Sequence, residues 1–156
     1  MKRSITLVLA ALVAPIQPAS ASGQIYYGSR AGMTVTVVSM RGLDTTRAVI
    51  RTKHTEADAI GFCRDYVGKV TQSCIRDELA VPLNDEIRAD CIKGIFTDFG
   101  GAAFRFKGPN KDPNSMAKYA IVDAQGKIAD GSSASGYPVN IGLFKALCPR
   151  RAPIDD

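Results

Sequence analysis

The chain has 156 residues, 20 of them Lys or Arg and 15 Asp or Glu, with four cysteines and one histidine. That length suits one domain with a substantial core. The basic residues are scattered among acids, so the mild positive charge does not point to nucleic acid.

The chain opens as an export signal. Lys2 and Arg3 precede an apolar run from Ile5 to Ala14, and Ala19-Ser20-Ala21 is a small-residue cleavage site. The run is about half the length of a membrane-spanning helix, and Pro15 and Pro18 follow it. Residues 1–21 are therefore expected to be a signal peptide, and residues 22–156 a single exported domain, periplasmic or secreted. No transmembrane segment is expected in the mature chain.

Met33 to Arg41 is rich in β-branched residues and reads as a strand. Gly42-Leu43-Asp44 supplies a turn, and Arg47 to Lys53 reads as the returning strand.

Thr55 to Ala80 is the expected organising helix. Ile60, Cys63, Val67, Val70 and Cys74 recur at spacings of three and four, the stripe of an amphipathic helix. Thr55 can cap it, with Glu56 and Asp58 in the first turn, and Pro82 stops it. Gly61 and Gly68 oppose a regular helix. The reading is one long bent helix, with a helical pair broken at Gly68 as the alternative.

In an unbroken helix Cys63 and Cys74 would stand about 16 Å apart at 1.5 Å per residue. A disulfide needs Cα atoms within roughly 7 Å, so the two cannot pair unless the chain turns back at Gly68. An even cysteine count in an exported chain reads as disulfides. The preferred pairing is Cys74 with Cys91 and Cys63 with Cys148. No C-x-x-C spacing occurs and His54 is the single histidine, so neither a zinc site nor a redox motif is favoured.

Beyond Pro82, Ile87 to Phe99 alternates at first and then loses phase, which a bulge near Gly94 would explain. Ala102, Phe104 and Phe106 share a face opposite Arg105 and Lys107, as in a half-buried strand. Residues 108–115 read as a loop, Tyr119 to Val122 as a strand, and Gln125-Gly126 as a turn towards Ile128. Gly131 to Gly136 reads as a surface loop, and Leu143 to Leu147 as one or two helical turns. The expected fold is α+β: an antiparallel sheet, made of an N-terminal hairpin and a four-strand meander, packed on one long amphipathic helix and stapled by disulfides. No glycine-rich fingerprint opens a helix after a strand, so no cofactor is expected.

The segments GSRAGM (Gly28–Met33), RTKHT (Arg51–Thr55) and DGSSASGYPV (Asp130–Val139) resemble small exported proteins of rhizobia-type alphaproteobacteria. The resemblance implies an envelope or secreted location and no particular activity. Ser135-Gly136-Tyr137 is similar to the serine–glycine and tyrosine loop residues of periplasmic lysozyme inhibitors, although the tyrosine is spaced further away there. These three residues form the candidate partner-binding loop, since a preorganised loop loses little entropy on binding.

Two catalytic patterns come close. The stretch Gly131-Ser132-Ser133-Ala134-Ser135-Gly136 approaches a nucleophile elbow, but its second glycine position holds Ser135. A secreted helix-then-sheet domain is similar to small microbial ribonucleases, but there the histidine follows the helix and here His54 precedes it.

The favoured reading is a non-enzymatic exported domain that binds a protein or glycan of the envelope or host. It expects an exposed apolar or aromatic patch around Tyr137 and residues 108–115. The alternative is a small hydrolase of the ribonuclease-like or peptidoglycan or ester type, or a lysozyme-inhibitor-like protein. A hydrolase expects a concave site joining His54 to carboxylates such as Asp123 or Asp130.

Overall fold

The computed structural model describes residues 23–129 and 136–152. The expected signal peptide, Asp130 and Ser135 lie outside them. Among the described residues, eight antiparallel strands run in chain order across one sheet. They are β1 (Gln24–Tyr26), β2 (Thr34–Arg41), β3 (Ala48–Lys53), β4 (Glu86–Asp90), β5 (Ile95–Thr97), β6 (Ala103–Pro109), β7 (Tyr119–Asp123) and β8 (Ile128–Ala129). The α-helices of the described residues are α1 (Glu56–Phe62), α2 (Gln72–Leu79) and α3 (Tyr137–Leu147).

The α+β class holds, and several of its details change. The hairpin and the meander are one continuous sheet, because β3 pairs with β4 through Ala48↔Ala89 and Ile50↔Ile87. The loss of phase near Gly94 is a hairpin turn and not a bulge. Gly94 takes φ +68° there, and β4 and β5 pair through Ala89↔Phe96. A bulge does occur in β2, where the register shifts between Val37 and Ser39 and leaves Val38 exposed.

The long helix is a helical pair. A π-helical turn, Cys63–Val67, follows α1, and Gly68 ends it in the left-handed region at φ +76°. Thr71 then caps α2 by accepting from the Cys74 N–H. Glycine enters the left-handed region without the steric cost of a Cβ, so the chain reverses here. The reversal removes the 16 Å obstacle. Cys63 and Cys74 lie 6.1 Å apart at Cα and are bonded to each other, and Cys91 is bonded to Cys148. The expected pairings Cys74–Cys91 and Cys63–Cys148 are thus both replaced. No free cysteine is left, which suits an oxidising compartment. Among the described residues no helix is long and apolar enough to cross a membrane.

The helix that the sheet packs on is α3. Leu143, Phe144 and Leu147 lie in the main core with Ile50, Ile87 and Phe96. Phe144 stacks on Phe106 at 4.4 Å between centroids and meets Phe96 at 5.5 Å. Cys148, at the C-cap of α3, carries the bond to the β4–β5 turn. The β2–β3 turn closes the same helix end: the Asp44 N–H donates to the Leu147 carbonyl, and its carboxylate accepts from the Arg150 N–H at 2.8 Å. The α1–α2 pair has a small separate cluster of Ala59, Cys63 and Ile75.

Candidate functional site

A cleft of about 770 Å³ lies where β3 ends and the α2–β4 connection passes. Arg51, Lys53 and His54 line it together with Leu79, Val81 and Leu83. Two of its lining residues are joined by a hydrogen bond from the Thr52 N–H to the Asp85 carbonyl at 2.8 Å. At the rim, Arg51 Nε meets Glu86 Oε2 at 3.3 Å, while Arg88 Nε donates to Glu86 Oε1 at 2.6 Å. The hydrogen bond from Arg88 foremost, opposed by desolvation and aided by Arg51, holds the Glu86 carboxyl below its ordinary range.

His54 is flanked by Tyr27 and Glu78. Its imidazole packs edge-on to Tyr27 with centroids 5.5 Å apart, and its Nε2 lies 3.8 Å from Glu78 Oε1. Tyr27 donates its phenolic proton to that same Glu78 oxygen. Glu78 is only 5% exposed. Burial first, then the hydrogen bond and charge of Glu78, push the Tyr27 phenol far above its ordinary pKa. Neither ring nitrogen of His54 has a hydrogen-bond partner among the described residues, and both are buried. An unsatisfied buried polar group of this kind is uncommon.

Local chemistry explains why these groups meet. Thr55 caps α1 in a reciprocal box: the Asp58 N–H donates to Thr55 Oγ1 at 3.2 Å, and the Thr55 N–H donates to Asp58 Oδ2 at 2.9 Å. Asp58 also accepts from Gln24 Nε2 at 2.7 Å and Thr36 Oγ1 at 3.0 Å, so one carboxylate joins β1, β2 and α1. The loop before β2 lies tight on α1. Gly32, at φ +75°, would place a Cβ 2.6 Å from the Phe62 Cα, so only glycine fits there. This contact seats the segment that carries Tyr27.

Asp58 gives a pH test. Burial alone would raise its pKa, but bonds from Thr55, Gln24 and Thr36 outweigh that and hold it below the ordinary value. The folded state therefore gains stability from the ionised carboxylate above the unfolded pKa of about 3.9 and loses it as pH falls through the lower folded value. Asp58→Asn should cost about 1–3 kcal/mol at neutral pH. Urea melts from pH 6 to pH 2.5 should show the gap to wild type closing as the pH falls. A constant gap would mean that the charge contributes nothing.

The expected hydrolytic geometry is met only in part. His54 does stand beside a carboxylate and a cleft, but the carboxylate is Glu78. Asp123 lies in another groove, where its carboxylate accepts from the Gln125 and Lys127 N–H groups at 2.9 and 2.8 Å. Glu78 was legible in one respect: it continues the three-four stripe one step beyond Cys74. Its approach to His54 depends on the reversal at Gly68. In the candidate loop, Gly136 is the N-cap of α3, and Tyr137 opens that helix half-buried, its hydroxyl accepting from the Tyr119 N–H at 3.0 Å. Met116, just beyond residues 108–115, is 86% exposed. Among the described residues no group of His, Cys, Asp and Glu is arranged to hold a metal ion. No family model, curated protein or solved structure matches the chain.

Proposed function

We propose that the chain is an exported, non-enzymatic binding domain that engages a protein or glycan of the cell envelope or its surroundings through the cleft beside His54. The observation that carries this reading is the cleft itself. Its walls combine apolar side chains with charged ones, the composition of a recognition surface. Leu79, the last residue of α2, reaches the cleft, and α2 is clamped to the π-helical turn by Cys63–Cys74. A wall already rigid costs less entropy to order on binding. The signal-like first 21 residues and the two disulfides support export to a periplasmic or external space.

The test is site-directed photocrosslinking in cells that export the protein. A photoreactive residue at Leu79, in the cleft, should give a discrete adduct that Lys53→Glu weakens. The same residue at Ile92, exposed on the β4–β5 turn, should give none. Equal adducts from both positions would reject the cleft as the site.

The second reading is a small hydrolase. It is favoured by the imidazole of His54 within 3.8 Å of a buried carboxylate at a cleft edge, the pairing that general acid–base chemistry uses. In that case His54→Asn should abolish turnover of RNA, an ester or peptidoglycan while leaving the fold unchanged. Absence of turnover by the wild-type chain on all three substrates leaves the binding reading.

A further inference from the structure

We propose that the tip of the α1–α2 hairpin is a docking element for the surface of an anionic lipid bilayer. It is a separate surface from the cleft, and the proposal does not rest on the cleft's role. Residues 64–70 are all exposed. Within them Tyr66 is 49% exposed, Val67 49% and Val70 48%. These are three large apolar side chains in five positions, at the point where the chain reverses. Two of them, Val67 and Val70, belong to the helical stripe that the sequence marks for burial, yet the reversal at Gly68 carries them outwards.

The surroundings of these side chains identify the occupant. Arg30 stands over the Tyr66 ring, 4.8 Å from its centroid, and Phe62 stacks on the ring from within the hairpin. Lys69 lies between Val67 and Val70 in the chain, and Arg64 is bonded to Asp65 at 2.5 Å. Three cations thus accompany one carboxylate. An apolar apex, an aromatic ring and cations beside it match the layers of a bilayer interface: valines towards the acyl boundary, tyrosine at the headgroups, and Arg or Lys on lipid phosphates. Seven residues are far fewer than the roughly 20–30 per side of a standard protein interface, which favours lipid over a protein partner. The Cys63–Cys74 bond closes the loop beneath the tip, so the apolar apex is held out and does not collapse inwards.

The experiment is vesicle co-sedimentation of the chain from residue 22, which contains every described element. The vesicles are phosphatidylcholine alone, or an equal mixture with phosphatidylglycerol, at low salt. Wild type should partition at least fivefold more strongly onto the mixed vesicles. Lys69→Glu should reduce that partitioning by about fivefold or more, the effect of one cation near an anionic surface. Val67→Asp with Val70→Asp should remove it. Both variants must keep the wild-type circular dichroism and contain no free thiol. These residues are exposed, so folding should survive; if the aspartate pair fails to fold, Val67→Ser with Val70→Ser serves in its place. Equal binding to the two vesicle types, or binding that the valine variants do not change, would overturn the proposal. So would self-association of the wild type, abolished by the same variants, with no affinity for vesicles; the tip would then be a protein contact.

Discussion

Truncating Phe144 to alanine is expected to destabilise the protein by about 3–5 kcal/mol, the range for a large aromatic removed from a packed core. Phe144 is 1% exposed and touches both Phe96 and Phe106. Its loss leaves a cavity between α3 and the sheet, and the ring-to-ring contacts add to the burial that is lost. For a chain of this size the thermal midpoint should fall by roughly 10–20 °C. Phe144→Leu should cost far less, because most of the volume stays filled. Ile92→Ala, on an exposed turn, should change stability by no more than about 0.5 kcal/mol. Calorimetry of the three variants checks the order. If Phe144→Ala melts with Ile92→Ala, α3 does not form the centre of the core.

The second large effect concerns the two disulfides, which should be unequal. Cys91–Cys148 spans 57 positions and Cys63–Cys74 spans 11. The chain-entropy model gives about 4 kcal/mol for the longer loop and about 3 for the shorter. Position should widen the gap. Cys91 and Cys148 are both in the main core, and their bond ties the end of α3 to the β4–β5 turn. Cys63 belongs to the small separate cluster. The Cys91→Ala/Cys148→Ala double variant should therefore lose cooperative unfolding at a lower urea concentration than Cys63→Ala/Cys74→Ala. The latter should keep the near-ultraviolet signal of the core aromatics. The opposite order would place the centre of stability in the α1–α2 hairpin, as the helical stripe alone suggests. Peptide mapping of the unreduced protein gives the pairing directly.

The two predictions share a cause, the seating of α3 against the sheet. That helix is where sequence reasoning went furthest astray. Tyr137–Leu147 reads YPVNIGLFKAL, apolar on nearly every side, with a proline early and a glycine inside. A helix buried on most of its surface has no polar stripe to reveal its period, so only its last turn or two was visible. The α1–α2 segment misled in the opposite way. Its regular stripe described the local helical preference correctly, yet Val67 and Val70 are exposed because the helix stops at Gly68.

What the sequence determined by itself is local. Alternating side chains marked β6 and β4, since a strand with one covered face must alternate, and β-branched residues marked β2. Thr55 marked a helix start because its hydroxyl can reach an N–H of the first turn. An even number of cysteines implied disulfides. What only the tertiary structure decided is which of these pieces meet. The left-handed turn at Gly68 brings Cys63 to Cys74 and Glu78 to His54, residues whose distances no helical period can supply. The closure of α3 on the sheet pairs Cys91 with Cys148 across 57 positions. Contacts between distant parts of the chain depend on how whole elements pack, and hydrophobic spacing along the sequence carries the face of each element but not its partner.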